Sequence, residues 1–212
     1  MIDKIEILTI NYNTPDLIDN LIKSVREIEG DYQIRIIDGS DKEPFKTEIQ
    51  NVCKKFNNII LQEQGWNIHH GRGMDLGVST SNYEWCLIID SDNYIQQPII
   101  EKMYGATIYN KKIIGWTVPN YSRDGVSFKY YHPALLLINV DYYKELKIKG
   151  ITFVHDGAPC YKIMRYLHDN NLSDVVGVDL EKYLNKDNKK IEGSITIHKW
   201  RGTGDRFGYD IK

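Results

Sequence analysis

The sequence predicts a single α/β domain in which helices flank a mixed, mainly parallel central sheet. Three observations support this prediction of a single globular α/β domain. Short apolar runs alternate with helical patterns through the first half of the chain, as in successive βαβ units. The length of 212 residues suits one well-buried domain and is short for two. Hydrophobic residues make up 42% and charged residues 26%, an ordinary globular composition.

The first strand is predicted at residues 5–10, where an apolar run precedes a polar cluster. Thr14 then offers an N-cap and Pro15 a first helical residue, and apolar residues recur at helical spacing after them. The remaining elements of this half are strands at 34–37 and 59–61, helices at 48–56 and 73–81, and a fully apolar strand at 85–89. The last of these strands suits the centre of a sheet.

The second half has a less regular pattern. It predicts a helix at 98–109, strands at 113–118 and 134–140, a helix from about 158 to 167, and a last strand at 194–200. The regular alternation breaks between residues 119 and 157, where a substrate-specific region is expected, and aromatic residues there suit either sugar stacking or an ordinary core or surface role: Tyr121, Tyr130, Tyr131 and His132. We therefore expect a nucleotide-binding half at 1–95 and an acceptor and catalytic half at 96–212, either alone or within a longer protein.

Charge and cysteine usage exclude several classes of protein. The net charge of −2 argues against a nucleic-acid partner, which usually requires a basic excess. Three widely spaced cysteines without a C-x-x-C pair predict reduced thiols rather than a zinc knuckle or a disulfide framework. No signal-peptide core is present, and no apolar run approaches the ~20 residues of a membrane span. We expect a monomeric, cytoplasmic protein.

Polar clusters follow three of the predicted strands, at residues 11–13, 38–41 and 90–93. Each cluster alone has the composition of an ordinary turn. In open α/β sheets, however, ligands bind beyond the carboxyl ends of the strands, so the recurrence of such clusters points to a binding site. Asp90 and Asp92 can face one ion from a single turn, and their hard oxygen ligands suit Mn²⁺ or Mg²⁺ bound together with substrate phosphates.

Four segments, at 10–13, 36–40, 67–77 and 87–92, resemble in order and spacing the family 2 type of glycosyltransferase with the Rossmann-like GT-A fold. The resemblance covers roughly the first hundred residues. It extends to the N-terminal domains of multidomain chlorovirus glycosyltransferases, which makes rhamnose or glucose the expected sugar. It implies a UDP-sugar donor, a glycan acceptor and the following donor-site residues: Asn11, Tyr12, Asn13 and Asp38 for uracil and ribose, and Asp90, Ser91 and Asp92 for ribose and metal-diphosphate.

The resemblance is incomplete in the glycine-rich segment. The family usually carries Ala-Arg-Asn before the glycine that corresponds to Gly77, whereas this chain has Gly73-Met74-Asp75. Arg72 is close enough in sequence to reach a phosphate or the base. Asp75 is expected either to bind a sugar hydroxyl or, as a first-turn carboxylate, simply to favour its helix.

Two further segments carry expected functional residues. Asp156 occupies the position of the family's catalytic aspartate, which in inverting members deprotonates the acceptor hydroxyl. It could equally cap the following helix. His198 resembles the late histidine that completes the metal shell in several GT-A enzymes, although a structural role is also open. Lys199 and Arg201 flank it and could meet the diphosphate.

Other nucleotide-dependent classes fit poorly. No G-x-G-x-x-G follows the first strand, no Walker A sequence is present, and the Gly-rich opening loop of sugar nucleotidyltransferases is missing. The remaining alternative is a non-catalytic module that binds a nucleotide sugar or a glycan within a larger protein. Inversion and retention of the sugar's configuration both stay open.

Overall fold

The computed structural model describes residues 2–154 and 159–172, together with the backbone of two later strands; the side chains at 116–120 and in those two strands lie outside the description. The strands are β1 (Ile5–Asn11), β2 (Ile34–Asp38), β3 (Ile59–Glu63), β4 (Trp85–Ile89), β5 (Asn93–Ile95), β6 (Ile113–Arg123), β7 (Val126–Asn139), β8 (Val176–Asp179) and β9 (Thr196–His198). The helices are α1 (Pro15–Ile28), α2 (Phe45–Cys53), α3 (His70–Thr80), α4 (Ile100–Gly105), α5 (Val140–Ile148) and α6 (Tyr161–Asp169), with a 3-10 helix at Ala106–Tyr109.

Seven strands form the central sheet in the order β3-β2-β1-β4-β7-β6-β8. The four strands of the first half run parallel to one another, β7 is antiparallel to β4, and β6 is antiparallel to β7. β5 and β9 form a separate two-stranded antiparallel sheet. The predicted α/β class with a mixed central sheet is therefore confirmed. Within the described ranges, no helix combines the length and apolarity that crossing a bilayer requires.

Side chains that alternate along the strands form two hydrophobic layers, one on each face of the sheet. Ile7 of β1 packs with apolar residues of α1, α2 and α4, whereas the next residue, Leu8, packs with those of α3, α5 and α6. A strand covered on both faces must be apolar at successive positions, which explains the unbroken run of β4.

Two glycines bring α3 unusually close to β1. A Cβ atom at Gly73 would lie 2.7 Å from Ile10 Cγ1, and one at Gly77 would lie 2.4 Å from Leu8 Cδ1. Positions four apart share one face of a helix, so both glycines meet the same strand. This close approach fixes the start of α3 beside the carboxyl end of β1.

Regular structure extends through most of residues 119–148, well beyond the predicted strand at 134–140. β6 and β7 form a long antiparallel hairpin whose turn consists of Asp124 (φ 54°) and Gly125 (φ 74°). Asp-Gly is favoured where both turn residues adopt left-handed conformations, so this dipeptide was an available signal. Tyr121 stacks on Tyr130 at 4.6 Å between ring centroids, and Tyr130 and Tyr131 are buried, as the core interpretation required.

Several element boundaries differ from the predicted ones. The strand expected at 134–140 ends at Asn139, whose side chain accepts a hydrogen bond from the Tyr142 N–H (3.0 Å) and so starts α5, a helix that the sequence reading missed. The helix expected at 98–109 is divided into α4 and the 3-10 helix. The short strands β5 and β8 were not predicted.

Candidate functional site

Three buried polar side chains join the carboxyl ends of β1 and β2. Asn11 Nδ2 donates to Asp38 Oδ1 (2.8 Å) and to Ser40 Oγ (3.3 Å). Ser40 donates to the same Asp38 oxygen from its hydroxyl (2.7 Å) and from its backbone N–H (3.2 Å). Each of the three residues is at most 1% exposed. The hydrogen bonds therefore hold the Asp38 carboxyl in one orientation inside the protein.

Burial raises the pKa of the Asp38 carboxyl above its ordinary value of 3.8 because the charged form loses its hydration. The hydrogen bonds from Ser40 and Asn11 oppose this shift because they favour the charged form. Asp38 is thus a carboxyl whose protonation depends on how well its donors compensate for burial.

A second set of contacts lies nearer the surface and involves residues 12, 13 and 41. Tyr12 donates from its hydroxyl to Asp41 Oδ2 (3.2 Å), and Asn13 Nδ2 donates to Asp41 Oδ1 (3.1 Å). The Asn13 N–H also donates to Ser40 Oγ (3.1 Å). The hydrogen bond from Asn13 is the main cause that lowers the pKa of the Asp41 carboxyl. Residues 11–13 and 38–41 thus form a polar rim at the carboxyl ends of β1 and β2. Ser40 and Asp41 belong to this rim, although the sequence interpretation singled out only Asp38 from their cluster.

Thr14 occupies the N-cap position of α1, as predicted, but its side chain has a different role. Its hydroxyl donates to Asn11 Oδ1 (2.8 Å), and it makes no side-chain capping hydrogen bond to the helix. With this contact both polar ends of the Asn11 amide are bonded. The start of α1 is thereby tied to the polar rim at the end of β1.

The four residues after β4 form a tight turn. The Asn93 N–H donates to the Asp90 carbonyl (3.0 Å). The Ala134 carbonyl of β7 accepts hydrogen bonds from the Asp90 N–H (3.1 Å) and from Asn93 Nδ2 (2.6 Å). Asp92 is buried, at 8% exposure, and Ser91 is half-buried between the two carboxylates. The first and last residues of the turn are therefore both bonded to β7.

The donor set of this turn fits a hard divalent cation. The carboxylates of Asp90 and Asp92, which are separated by one residue, provide the oxygen ligands that Mn²⁺ and Mg²⁺ use, and they leave coordination positions for phosphate oxygens. In the β5–β9 ladder the Cα of His198 lies opposite that of Asn93, directly beside the turn. Among the described side chains, no cluster of three or more His, Cys, Asp or Glu residues could hold a metal ion by itself.

His70, at the start of α3, contacts the same turn. Its Nε2 lies 3.0 Å from Asp90 Oδ1, and the two side chains are 35% and 17% exposed. His70 is not among the donor or metal residues that the sequence predicts. No local pattern indicates this contact, because it depends on how α3 lies against β1 and β4.

Arg72 and Asp75, the other α3 residues expected at the donor, differ in their surroundings. Arg72 is exposed on the first turn. Asp75 accepts hydrogen bonds from the Tyr143 hydroxyl (2.6 Å) and from Lys147 Nζ (3.0 Å), both on α5. These contacts join α3 to α5. They do not test whether Asp75 also binds a sugar hydroxyl, which stays a prediction.

The region around Asp156 is described only on its two sides. On one side, a Cβ atom at Gly71 would lie 2.6 Å from the Phe153 carbonyl oxygen, so residues 153–154 pack against the start of α3. On the other side, the Tyr130 hydroxyl donates to the Pro159 carbonyl. Asp156 itself lies outside the described residues, as do Lys199 and Arg201. α6 begins at Tyr161 with Cys160 at the N-cap position, so the expectation that Asp156 caps this helix is wrong.

Comparisons with known proteins agree with this architecture. The sequence model described as "Glycosyl transferase family 2" matches residues 6–172. No curated protein matches the sequence.

Solved structures with the same fold share little sequence identity with the chain. TarS 1–349 of S. aureus in complex with UDP has a TM-score of 0.52 at 15% identity, over 71% of this chain and 50% of that one. The mannosyltransferase PcManGT of Pyrobaculum calidifontis, in complex with GDP-Man and Mn2+, has a TM-score of 0.53 at 13% identity, over 73% and 48%. The apo structure of WbbM, a bifunctional glycosyltransferase, has a TM-score of 0.59 at 12% identity, over 94% and 46%.

The chain thus spans half or less of the length of these three structures. At such identities the likeness shows the GT-A fold alone. The family match, by contrast, runs through most of the chain and includes the polar turns after β1, β2 and β4. The chain therefore belongs to glycosyl transferase family 2.

Proposed function

We propose that this chain is one glycosyltransferase domain that moves a sugar from a UDP-sugar to a hydroxyl group of a glycan, with the help of Mn²⁺ or Mg²⁺, and acts as a monomer. Residues 1–95 form its nucleotide-binding half and 96–212 its acceptor and catalytic half. One observation carries the proposal: polar side chains follow β1, β2 and β4, three adjacent parallel strands whose carboxyl ends lie along the same edge of the sheet. The resemblance to chlorovirus enzymes makes rhamnose or glucose the transferred sugar.

The uridine binds beside the rim formed by the ends of β1 and β2. Asn11, Asp38 and Ser40 already satisfy one another, so they provide a rigid wall rather than flexible arms. Tyr12 and Asn13, which both donate hydrogen bonds to Asp41, are the proposed contacts of the base and ribose at the outer side of this wall. Rigid groups lose little entropy when a ligand binds, and a base that does not fit against a rigid wall is excluded by its shape.

The diphosphate lies beside the turn after β4. Asp90, Asp92 and His198 are the proposed ligands of the divalent cation, Ser91 contributes its hydroxyl, and Lys199, Arg201 and Arg72 approach the phosphate oxygens. A bound cation at this position neutralises the charge that grows on the departing diphosphate. Basic side chains near the same oxygens stabilise the leaving group by charge-assisted hydrogen bonds.

Asp156 is the proposed general base. Its carboxylate takes the proton of the acceptor hydroxyl as that oxygen bonds to the anomeric carbon and the carbon–oxygen bond to the diphosphate breaks. Two contacts support this assignment: Phe153 packs against Gly71, and Pro159 accepts a hydrogen bond from Tyr130, so both flanks of Asp156 are anchored to the domain. If the reaction retains configuration, Asp156 instead orients the acceptor, and Asp75 is a candidate partner for a sugar hydroxyl.

Calorimetry with UDP tests the metal-dependent site. We expect UDP to bind well in the presence of Mn²⁺, and we expect EDTA and Asp92→Ala each to weaken binding by about tenfold or more, a loss of at least ~1.4 kcal/mol. Glu145→Ala, an exposed carboxylate on α5, is the matched control and should bind as the wild type does. Equal affinity under all of these conditions would exclude the metal role.

Turnover separates the enzyme from a binding module. A screen of UDP-sugars should detect UDP release that rises when a glycan acceptor is added, and NMR of the product would identify the anomeric linkage. Binding of UDP-sugars without release of UDP with any donor or acceptor would favour a non-catalytic module.

A further inference from the structure

A large aromatic residue is exposed on the loop that borders the polar rim. Trp66, in the loop between β3 and α3, is 47% exposed, although tryptophan is highly buried on average in folded proteins. We propose that Trp66 provides the aromatic face on which the uracil of the donor stacks. The inference rests on the proposed function, because it needs a uridine nucleotide at the rim. It adds a base-binding residue outside the segments that resemble the family.

The backbone of this loop packs against the end of β2. The Gln64 N–H donates to the Asp38 carbonyl (2.8 Å). A Cβ atom at Gly39 would lie 3.0 Å from the Trp66 carbonyl oxygen and 3.1 Å from the Ile68 nitrogen. Because Gly39 has no side chain, the loop can approach the rim this closely, and the backbone of Trp66 is held there before a ligand arrives. From this position the long indole side chain can reach a base that lies against the rim.

The surroundings of the Trp66 ring leave a face for a ligand. Among the described residues, no aromatic ring, cation or hydrogen-bonding group contacts the indole. Trp85, by contrast, is 4% exposed, and its ring meets that of Tyr104 edge-on. Isolated apolar side chains are common on protein surfaces, so exposure alone would not indicate binding. The attachment of this loop to the rim of the proposed uridine site is what makes uracil the expected occupant.

The hydrogen bonds of the rim favour stacking as a source of affinity. The Asn11 amide, Asp38 Oδ1 and the Ser40 hydroxyl are already bonded within the protein, so they add little to the affinity for a base. Stacking does not draw on such groups, since every base presents a π face to an aromatic ring. In this arrangement the rim limits which base fits, and Trp66 supplies binding free energy.

Calorimetry of UDP binding with Mn²⁺ present tests this role without turnover. Trp66→Leu keeps an apolar side chain but removes the ring, whereas Trp66→Phe keeps a smaller ring. Tyr109→Leu is the matched control, because Tyr109 is 73% exposed and lies just before β6 begins, at the edge of the sheet away from the rim. Melting temperatures report whether each variant folds. The quenching of tryptophan emission by UDP, compared between the wild type and Trp66→Phe, reports on residue 66 itself.

We expect Trp66→Leu to weaken UDP binding by about 5–150-fold, the usual range for the loss of one base-stacking side chain. Trp66→Phe should recover most of the affinity and show less quenching than the wild type, and Tyr109→Leu should bind as the wild type does. Wild-type affinity in Trp66→Leu, together with weakened binding in Asp92→Ala, would overturn the role of Trp66 and leave the proposed function intact. Equal losses in Trp66→Leu and Trp66→Phe would exclude stacking. A wild-type protein that binds no UDP would overturn both the role of Trp66 and the proposed function.

Discussion

Asp38 and Asp41 are three positions apart, yet their surroundings shift their pKa values in opposite directions. Burial raises the pKa of Asp38, whereas the hydrogen bond from Asn13 is the largest cause that lowers the pKa of Asp41. The same turn therefore holds one carboxyl that resists ionisation and one that favours it. Their different positions in the rim, one inside and one at the surface, account for the contrast.

The two carboxyls should contribute to stability with opposite pH dependence. The folded-state pKa of Asp38 exceeds its unfolded value, so the folded chain binds more protons in the window above pH ~3.8 and the free energy of unfolding falls as pH rises through it. Asp38→Asn removes the carboxyl that causes this fall. The free energy of unfolding of the variant, compared with that of the wild type at the same pH, should therefore increase as pH rises. Urea denaturation at a series of pH values measures the difference.

Asp41→Asn is the control with the opposite sign. The folded-state pKa of Asp41 is lowered, so its contribution is present above the unfolded pKa and is lost as pH falls through the folded pKa. Relative to the wild type, Asp41→Asn should therefore cost more stability at neutral pH than in acid. Parallel stability curves for the two variants would contradict the assigned shifts.

Asp156→Asn tests the proposed base. A general base acts on the transition state, so its removal should lower kcat by about 10²–10⁴-fold. The dissociation constant of the UDP-sugar should change little, since the proposed donor contacts lie at other residues. The melting temperature should also change little, because asparagine has nearly the size and shape of aspartate. Steady-state kinetics with donor binding measured by calorimetry check both expectations. Normal kcat in Asp156→Asn would mean that another group deprotonates the acceptor.

At the scale of single elements, α3 matters most to the site because it presents His70, Arg72 and Asp75 from one short helix. Its position depends on glycines rather than on side-chain interlocking. Leu8, against which Gly77 packs, is fully buried, so a rotation of its side chain would have to displace neighbouring core residues. Close packing at this point transmits any change in α3 to the end of β1.

Gly77→Ala should destabilise the domain by about 1–3 kcal/mol, because the new methyl group overpacks against Leu8. Gly105→Ala is the matched control: Gly105 ends α4 in a right-handed conformation with no atom within 4 Å of an added Cβ. That substitution should stabilise by about 0.4–1 kcal/mol through reduced freedom of the unfolded chain. Chemical denaturation measures both. A stabilising Gly77→Ala would show that α3 has room to move away.

The elements themselves were predicted unequally well. β1, α1, β2, β3, α3 and β4 were all recognised, because the apolar runs and helical spacing of the first half match their periods directly. The hairpin of β6 and β7 was missed, although Asp124-Gly125 favours such a turn. The three-residue strand β5 cannot be predicted from a local pattern, because its partner β9 lies about a hundred residues later in the chain.

At the scale of the whole molecule, strand order determines where a ligand binds. From β1 the chain adds β2 and β3 on one side and then returns to place β4 on the other. The carboxyl ends of β1 and β4 therefore border a crevice at the point where the order reverses, which is the usual ligand position in open α/β sheets. Asn11, Tyr12 and Asn13 lie on one border of that crevice and Asp90 on the other.

A donor site assembled in this way should select among nucleotides. UDP should compete with a UDP-sugar better than GDP or dTDP does, because guanine differs from uracil in size and hydrogen-bonding edge, whereas dTDP lacks the ribose 2′-hydroxyl and carries an additional methyl group on its base. Competition calorimetry with Mn²⁺ present measures the order. Equal competition by the three would indicate recognition of the diphosphate alone, and a preference for GDP would assign the domain to another donor class.

The sequence by itself determined the fold class and the polar clusters of the candidate site. Both are local properties: strand and helix periods appear within short windows, and polar residues after apolar strands mark strand ends wherever those strands lie. The family resemblance added the proposed roles of Asp90, Asp92 and Asp156, because it connects residues that no local pattern connects.

Only the tertiary structure decided which of these residues touch. The contact of His70 with Asp90, the bond of Thr14 to Asn11 and the attachment of Asp75 to α5 all join residues from different elements or an element and its loop. Such contacts depend on how closely α3 approaches β1, and that distance depends on the absence of side chains at Gly73 and Gly77. The packing of side chains between elements sets the distances between them. The periodicity of apolar residues along the sequence predicts the elements but does not give those distances.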